Sequence, residues 1–115
     1  MAHRITLKTT TNPRYDTLGD WTIDNRGNIH IEVTGMDVLS PEGFLIALHE
    51  LVEVMLCRQR GITQQAVDDF DMAFKGDGEP GDEPDAPYRR EHQFANKIEN
   101  MVAHEMGMAG YGDEE

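Results

Sequence analysis

The sequence predicts an α+β domain: a small antiparallel β-sheet built around a hairpin over 20–34, followed by three helices. Three observations predict it. Apolar and polar residues alternate through "HRITLKT", "DWTID" and "NIHIEVT", and this two-residue rhythm ends at Thr34. From Pro41 onward the apolar residues recur at helical spacing instead. Most glycines and prolines fall between these stretches, where they punctuate the chain.

The first strand covers 3–9, with Ile5 and Leu7 alternating with polar neighbours. In the hairpin, Trp21 and Ile23 share one face with Ile29, Ile31 and Val33, while His30, Glu32 and Thr34 take the other. "NRGN" (25–28) joins its strands, and Gly27 supplies the positive φ that a tight reversal needs. Ser40-Pro41-Glu42 then starts a helix: an N-cap hydroxyl, a proline in the first turn and an acid at the positive end of the dipole. That helix runs to about Arg60 and stops at Gly61. Thr63 caps a second, shorter helix through "QQAVDDFDMAF". Residues 75–87, "KGDGEPGDEPDAP", repeat glycine and proline among acids and are expected to lack regular structure. A third helix follows Pro87 and ends at Gly107, and 108–115 is expected to be a flexible tail.

At 115 residues the chain reads as a single domain, 1–115, because chains split at about twice that length. Its 22 acidic and 10 basic residues give a net charge of -12. This argues against nucleic-acid binding, which needs Lys and Arg on phosphates. It leaves a cation site, a basic peptide or protein partner, or DNA mimicry. The N-terminus lacks the apolar core of a signal peptide, and no apolar run has the ~20 residues that span a bilayer. The single cysteine, Cys57, excludes an internal disulfide and fits a reducing compartment, so a cytoplasmic location is expected.

The chemistry concentrates in "FLIALHELVEVMLC" (44–57). This helix is apolar nearly all round, the mark of a central, buried helix, yet it carries His49, Glu50 and Glu53. An unpaired carboxylate buried there would cost several kcal/mol, so it must be protonated, ion-paired or metal-bound. His49 and Glu53 are four residues apart, about 40° around the helix, the spacing by which one helix chelates a metal. The alternative is a narrow solvent-facing stripe shared with Glu42. In the third helix, His92 and Glu99 lie seven residues apart and about 20° off alignment, with the small Ala95 between them on that face. Two such pairs facing each other would make a four-ligand nitrogen–oxygen site, His49, Glu53, His92 and Glu99, suited to a divalent metal, zinc first, or iron or manganese. Glu99 is open to two roles, fourth ligand or anchor of another ligand.

"HELVE" resembles the active helix of the zincin metallopeptidases, H-E-x-x-H, and a hairpin feeding directly into the motif helix resembles small zincin-like domains. The resemblance implies zinc on His49, with Glu50 as the base that activates a metal-bound water and a peptide as the substrate. Glu53 stands where the family has its second histidine. "LHELVEVML" is also similar to HD-domain phosphohydrolases, with Glu50 in place of the aspartate and His30 as the nearest upstream histidine. Over the larger part of the chain, "HELVE…LC…GI…VDDFD…EPGDEPDAPYRREHQFA" resembles small phage and prophage proteins, a likeness that carries no activity with it. It leaves room for a non-catalytic acidic protein that binds or inhibits a basic partner, or for histidines that simply finish the core.

Four further features complete the reading. Asp68, Asp69 and Asp71 read as a solvated helix face, and Cys57 as a core thiol. The acids of 77–85 read as a solvated linker, with a lid or an interaction surface as the alternative. Tyr88 is placed to reach a substrate oxyanion. If the site binds an extended peptide, strand 28–34 is the expected place for strand addition.

Overall fold

In the computed structural model, which describes residues 2–112, the chain forms β1 (Ile5–Thr10), β2 (Gly19–Ile23), β3 (Ile29–Thr34), α1 (Pro41–Arg60), α2 (Gln64–Ala73) and α3 (Arg89–Glu105). The α+β class and the hairpin are as expected: β2 and β3 pair antiparallel, with Trp21 opposite Ile31. The sheet, however, is mixed. Its order is β1-β3-β2, and β1 pairs parallel with β3, Ile5 opposite Ile29. The 11–18 connection carries the chain from one side of β3 to the other, so the third strand is central and the first two flank it. β3 is therefore paired along both edges and cannot accept an added peptide strand, contrary to the expectation for 28–34.

The hairpin's apolar face is the floor of the core. Trp21, Ile29, Ile31 and Val33 are buried against Ala47, Val54 and Cys57 of α1, Val67 of α2, and Tyr88. α1 packs on β2 and β3 and, most extensively, on α3. β1 lies beyond the helical layer, which leaves Ile5 and Leu7 exposed despite their alternation.

The helix ends follow the local chemistry. The Ser40 hydroxyl accepts a bond from the Gly43 N–H at 3.1 Å, and Thr63 does the same for Ala66. Each cap is worth about 1 kcal/mol. Gly61 ends α1 in the left-handed region, φ 74°. α1 is less enclosed than its composition suggests: Leu45 and Val54 are fully buried, but Phe44 and Met55 face outward at 39% and 42% exposure. Its inward face is the one that carries His49 and Glu53. The 75–87 segment also departs from expectation, because Pro80–Asp82 forms a 3-10 turn that packs against α3. Of the expected tail, 109–112 form turns, and 113–115 lie outside the described residues. No helix among the described residues is long and apolar enough to cross a membrane.

Candidate metal centre

His49 and Glu53 leave α1 one turn apart, and His92 meets them from the first turn of α3. Their exposures are 6%, 4% and 3%, which excludes the solvent-facing stripe. Three donor atoms converge. His49 Nε2 lies 3.2 Å from His92 Nδ1, His92 Nδ1 lies 3.1 Å from Glu53 Oε2, and His49 Nε2 lies 3.3 Å from Glu53 Oε2. Three lone-pair atoms this close and this dry need positive charge between them, as protons or as a metal ion. The three residues form a buried group that could hold a metal ion.

Two of the three members are hydrogen-bonded from behind. Glu99 accepts from His49 Nδ1 at 2.9 Å, so that nitrogen carries a proton and Nε2 is the one turned to the triangle. Glu99 thus faces the far side of the His49 ring and is not one of the three converging donors. Tyr111 in turn donates to the second oxygen of Glu99 at 2.5 Å. The Trp21 indole N–H donates to Glu53 Oε1 at 3.0 Å, leaving Oε2 for the histidines. Behind His92, Asp82 Oδ1 stands 3.2 Å from Nε2 but off the N–H direction, so this buried nitrogen has no hydrogen-bond partner among the described residues. Gly81 lies directly over that ring, where an added Cβ would come within 2.5 Å of His92 Cγ.

The electrostatics follow from this packing. Burial pulls the His49 imidazole down, but its bonds to Glu53 and Glu99 outweigh it and lift the pKa to about 11. Burial pushes Glu53 up, and the two histidines outweigh that in turn, holding it at about 2. Without a metal, then, the cluster keeps a proton on His49 beside an ionised Glu53. Glu50 is different. It is half-buried, and burial together with the Glu53 charge holds its carboxyl well above the usual range. It lines, with His49, Glu53 and His92, a cavity of 310 Å³ bounded on another side by the β2 edge at Gly19 and Trp21.

The remaining candidates are structural. Cys57 is fully buried, and burial pushes its thiol up to about 12. The Tyr88 hydroxyl is not free for an oxyanion, because it donates to Asp71, which also accepts from Tyr15 at 2.9 Å. The expected solvated face of α2 is partly engaged, with Asp68 bound to Arg14 at 3.0 Å and Asp69 to Gln65 at 2.7 Å. His30 bonds Asp24 at 2.9 Å on the polar side of the hairpin, and it is not a member of the metal-capable group.

Sequence reasoning missed Trp21, Gly81 and Tyr111. Only Trp21 gave a signal, since an indole on an apolar face must find an acceptor for its N–H. Together these features define an α+β domain with a candidate metal centre between its two long helices. No family model, curated protein or solved structure matches the chain.

Proposed function

We propose that the protein is a zincin-like, metal-dependent hydrolase that holds one zinc ion on His49 Nε2, Glu53 Oε2 and His92 Nδ1 and acts on a peptide bond. The triangle carries this reading. Zinc bonds of ~2.0–2.1 Å in a tetrahedron set neighbouring ligand atoms about 3.3 Å apart. The three sides here run from 3.1 to 3.3 Å. Two histidines and one carboxylate with a free fourth position are the ligand set of a hydrolytic rather than a structural zinc.

Glu50 lines the same cavity as His49, Glu53 and His92, where a water on the ion would have room. Glu50 precedes Glu53 by less than a turn and is not one of the three converging donors, so on this reading it would take the proton of a water bound to the ion. Glu99 and Trp21 hold His49 and Glu53 in place, the outer support that metal sites require.

Elemental analysis of protein purified without a histidine tag and dialysed against zinc should find about one ion per chain. A chelator should then lower the melting temperature by several degrees, because an ion bridging α1 and α3 adds its binding energy to stability. His92→Ala should abolish that response. Zinc near zero with an unchanged melting curve would leave a buried ion network that finishes the core, and would promote the non-catalytic binding protein.

A further inference from the structure

We propose that the cavity beside the triangle selects an alkyl cation, the side chain of a Lys or Arg flanking the bond presented to the metal. The inference rests on the hydrolase reading and names its substrate class.

The 310 Å³ cavity is of a size that takes a small ligand, and its wall contains acids but no Lys or Arg. Several of those acids are already engaged. Asp20 and Asp68 share Arg14, Asp71 accepts from two tyrosines, and Glu53 belongs to the triangle. That leaves Asp16, Glu50 and Glu79. Asp16 is exposed and, like Glu50, has no ion-pair partner among the described residues. Glu79 is 66% exposed and approaches only His92, at 3.6 Å. A second cavity of 540 Å³ shares these three residues and adds Glu42 and Glu99, again without Lys or Arg.

Two physical consequences follow. A phosphate or other anion entering here finds no guanidinium or ammonium on the wall to hold it, and only the ion itself would attract it. A cation is drawn in, and low-dielectric walls focus that attraction. The same wall carries Phe74 and the half-exposed Met72, apolar surface on which the stem of a Lys or Arg can lie while its head reaches the carboxylates.

The test titrates the zinc-loaded full chain calorimetrically with a blocked pentapeptide centred on Arg and with the same peptide centred on Glu. The Arg peptide should bind at least tenfold more tightly, and the difference should shrink in 0.5 M salt, where charges are screened within about 4 Å. The double variant Asp16→Asn/Glu79→Gln should close most of the difference while keeping one zinc per chain. Equal affinity for the two peptides, or a difference that the double variant leaves intact, overturns the proposal. Agmatine, the same cation without a peptide chain, distinguishes the sources. Binding weaker than that of the Arg peptide supports a peptide substrate, whereas equal binding overturns the peptide assignment in favour of a free amine. A protein that takes up no zinc fails the hydrolase reading itself, and elemental analysis reports that separately from any peptide result.

Discussion

Glu50 and Glu53 are three residues apart on one helix, yet the structure places them in opposite electrostatic situations. Glu53 is held ionised at about 2 by two histidines and is tied by Trp21, whereas burial and the Glu53 charge keep Glu50 well above the carboxylate range. Two carboxylates pushed in opposite directions suit two roles, one a ligand and one a proton acceptor that the ion's own charge would bring back toward ionisation. Substitution by glutamine separates the roles, because it preserves shape and removes charge. Glu50→Gln should keep about one zinc per chain and the parent melting temperature while lowering hydrolytic turnover by about 10² or more. Glu53→Gln should lose the metal, since it weakens a ligand and leaves two histidines in a dry site. Metal content of the two variants measured side by side decides the matter: if Glu50→Gln loses zinc as completely as Glu53→Gln, Glu50 is a ligand and the assignment is wrong.

At the scale of elements, the acidic segment is more than a linker. Pro80–Asp82 forms a turn whose Gly81 lies on the His92 ring, with room for no side chain. Gly81→Ala must therefore move the turn, the ring or both, and should weaken zinc binding by roughly the 10–100-fold typical of lost outer support. Unchanged zinc affinity in a competition titration with a chromophoric chelator would show that the turn gives way freely and does not position His92. The contrast with α1 shows what the sequence makes legible. Ser40, Gly61 and Thr63 mark helix ends through bonds within a few residues, so α1 and the start of α2 could be placed from local chemistry alone. His49, Glu53, His92 and Glu99 were legible for the same reason, since four- and seven-residue spacings fix a helix face. Trp21 to Glu53, Gly81 to His92 and Tyr111 to Glu99 join different elements, and no local spacing encodes such contacts. The parallel pairing of β1 was hidden likewise, because it depends on how the 11–18 connection crosses the sheet. Composition misled in one place: α1 looks apolar all round, but the sheet and α3 leave the side that carries Phe44 and Met55 uncovered.

For the whole molecule, the zinc reading makes the centre couple folding to both protons and metal, with opposite pH dependence. In the metal-free protein His49 is raised from 6.5 to about 11, so its contribution to stability is fully present below 6.5 and is lost as pH rises toward 11. Glu53 is lowered from 4.5 to about 2, so its contribution is present above 4.5 and is lost as pH falls through 2. The metal-free cluster therefore supports the fold best between about pH 4.5 and 6.5. Zinc requires the opposite state of His49, because the ion takes the Nε2 lone pair and must displace the proton. While that proton is bound, zinc affinity should rise about tenfold per pH unit, adding about 1.4 kcal/mol of stabilisation at fixed free zinc. In a domain of this size that corresponds to a further gain of several degrees in melting temperature per pH unit. Melting curves with and without zinc, at buffered free zinc from pH 5.5 to 8, should diverge steadily as pH rises. Calorimetry in buffers of different ionisation enthalpy should count about one proton released per zinc bound. A zinc-induced shift that stays constant across this range, with no proton released, would mean that the ion does not replace the proton on His49 and binds elsewhere on this acidic surface.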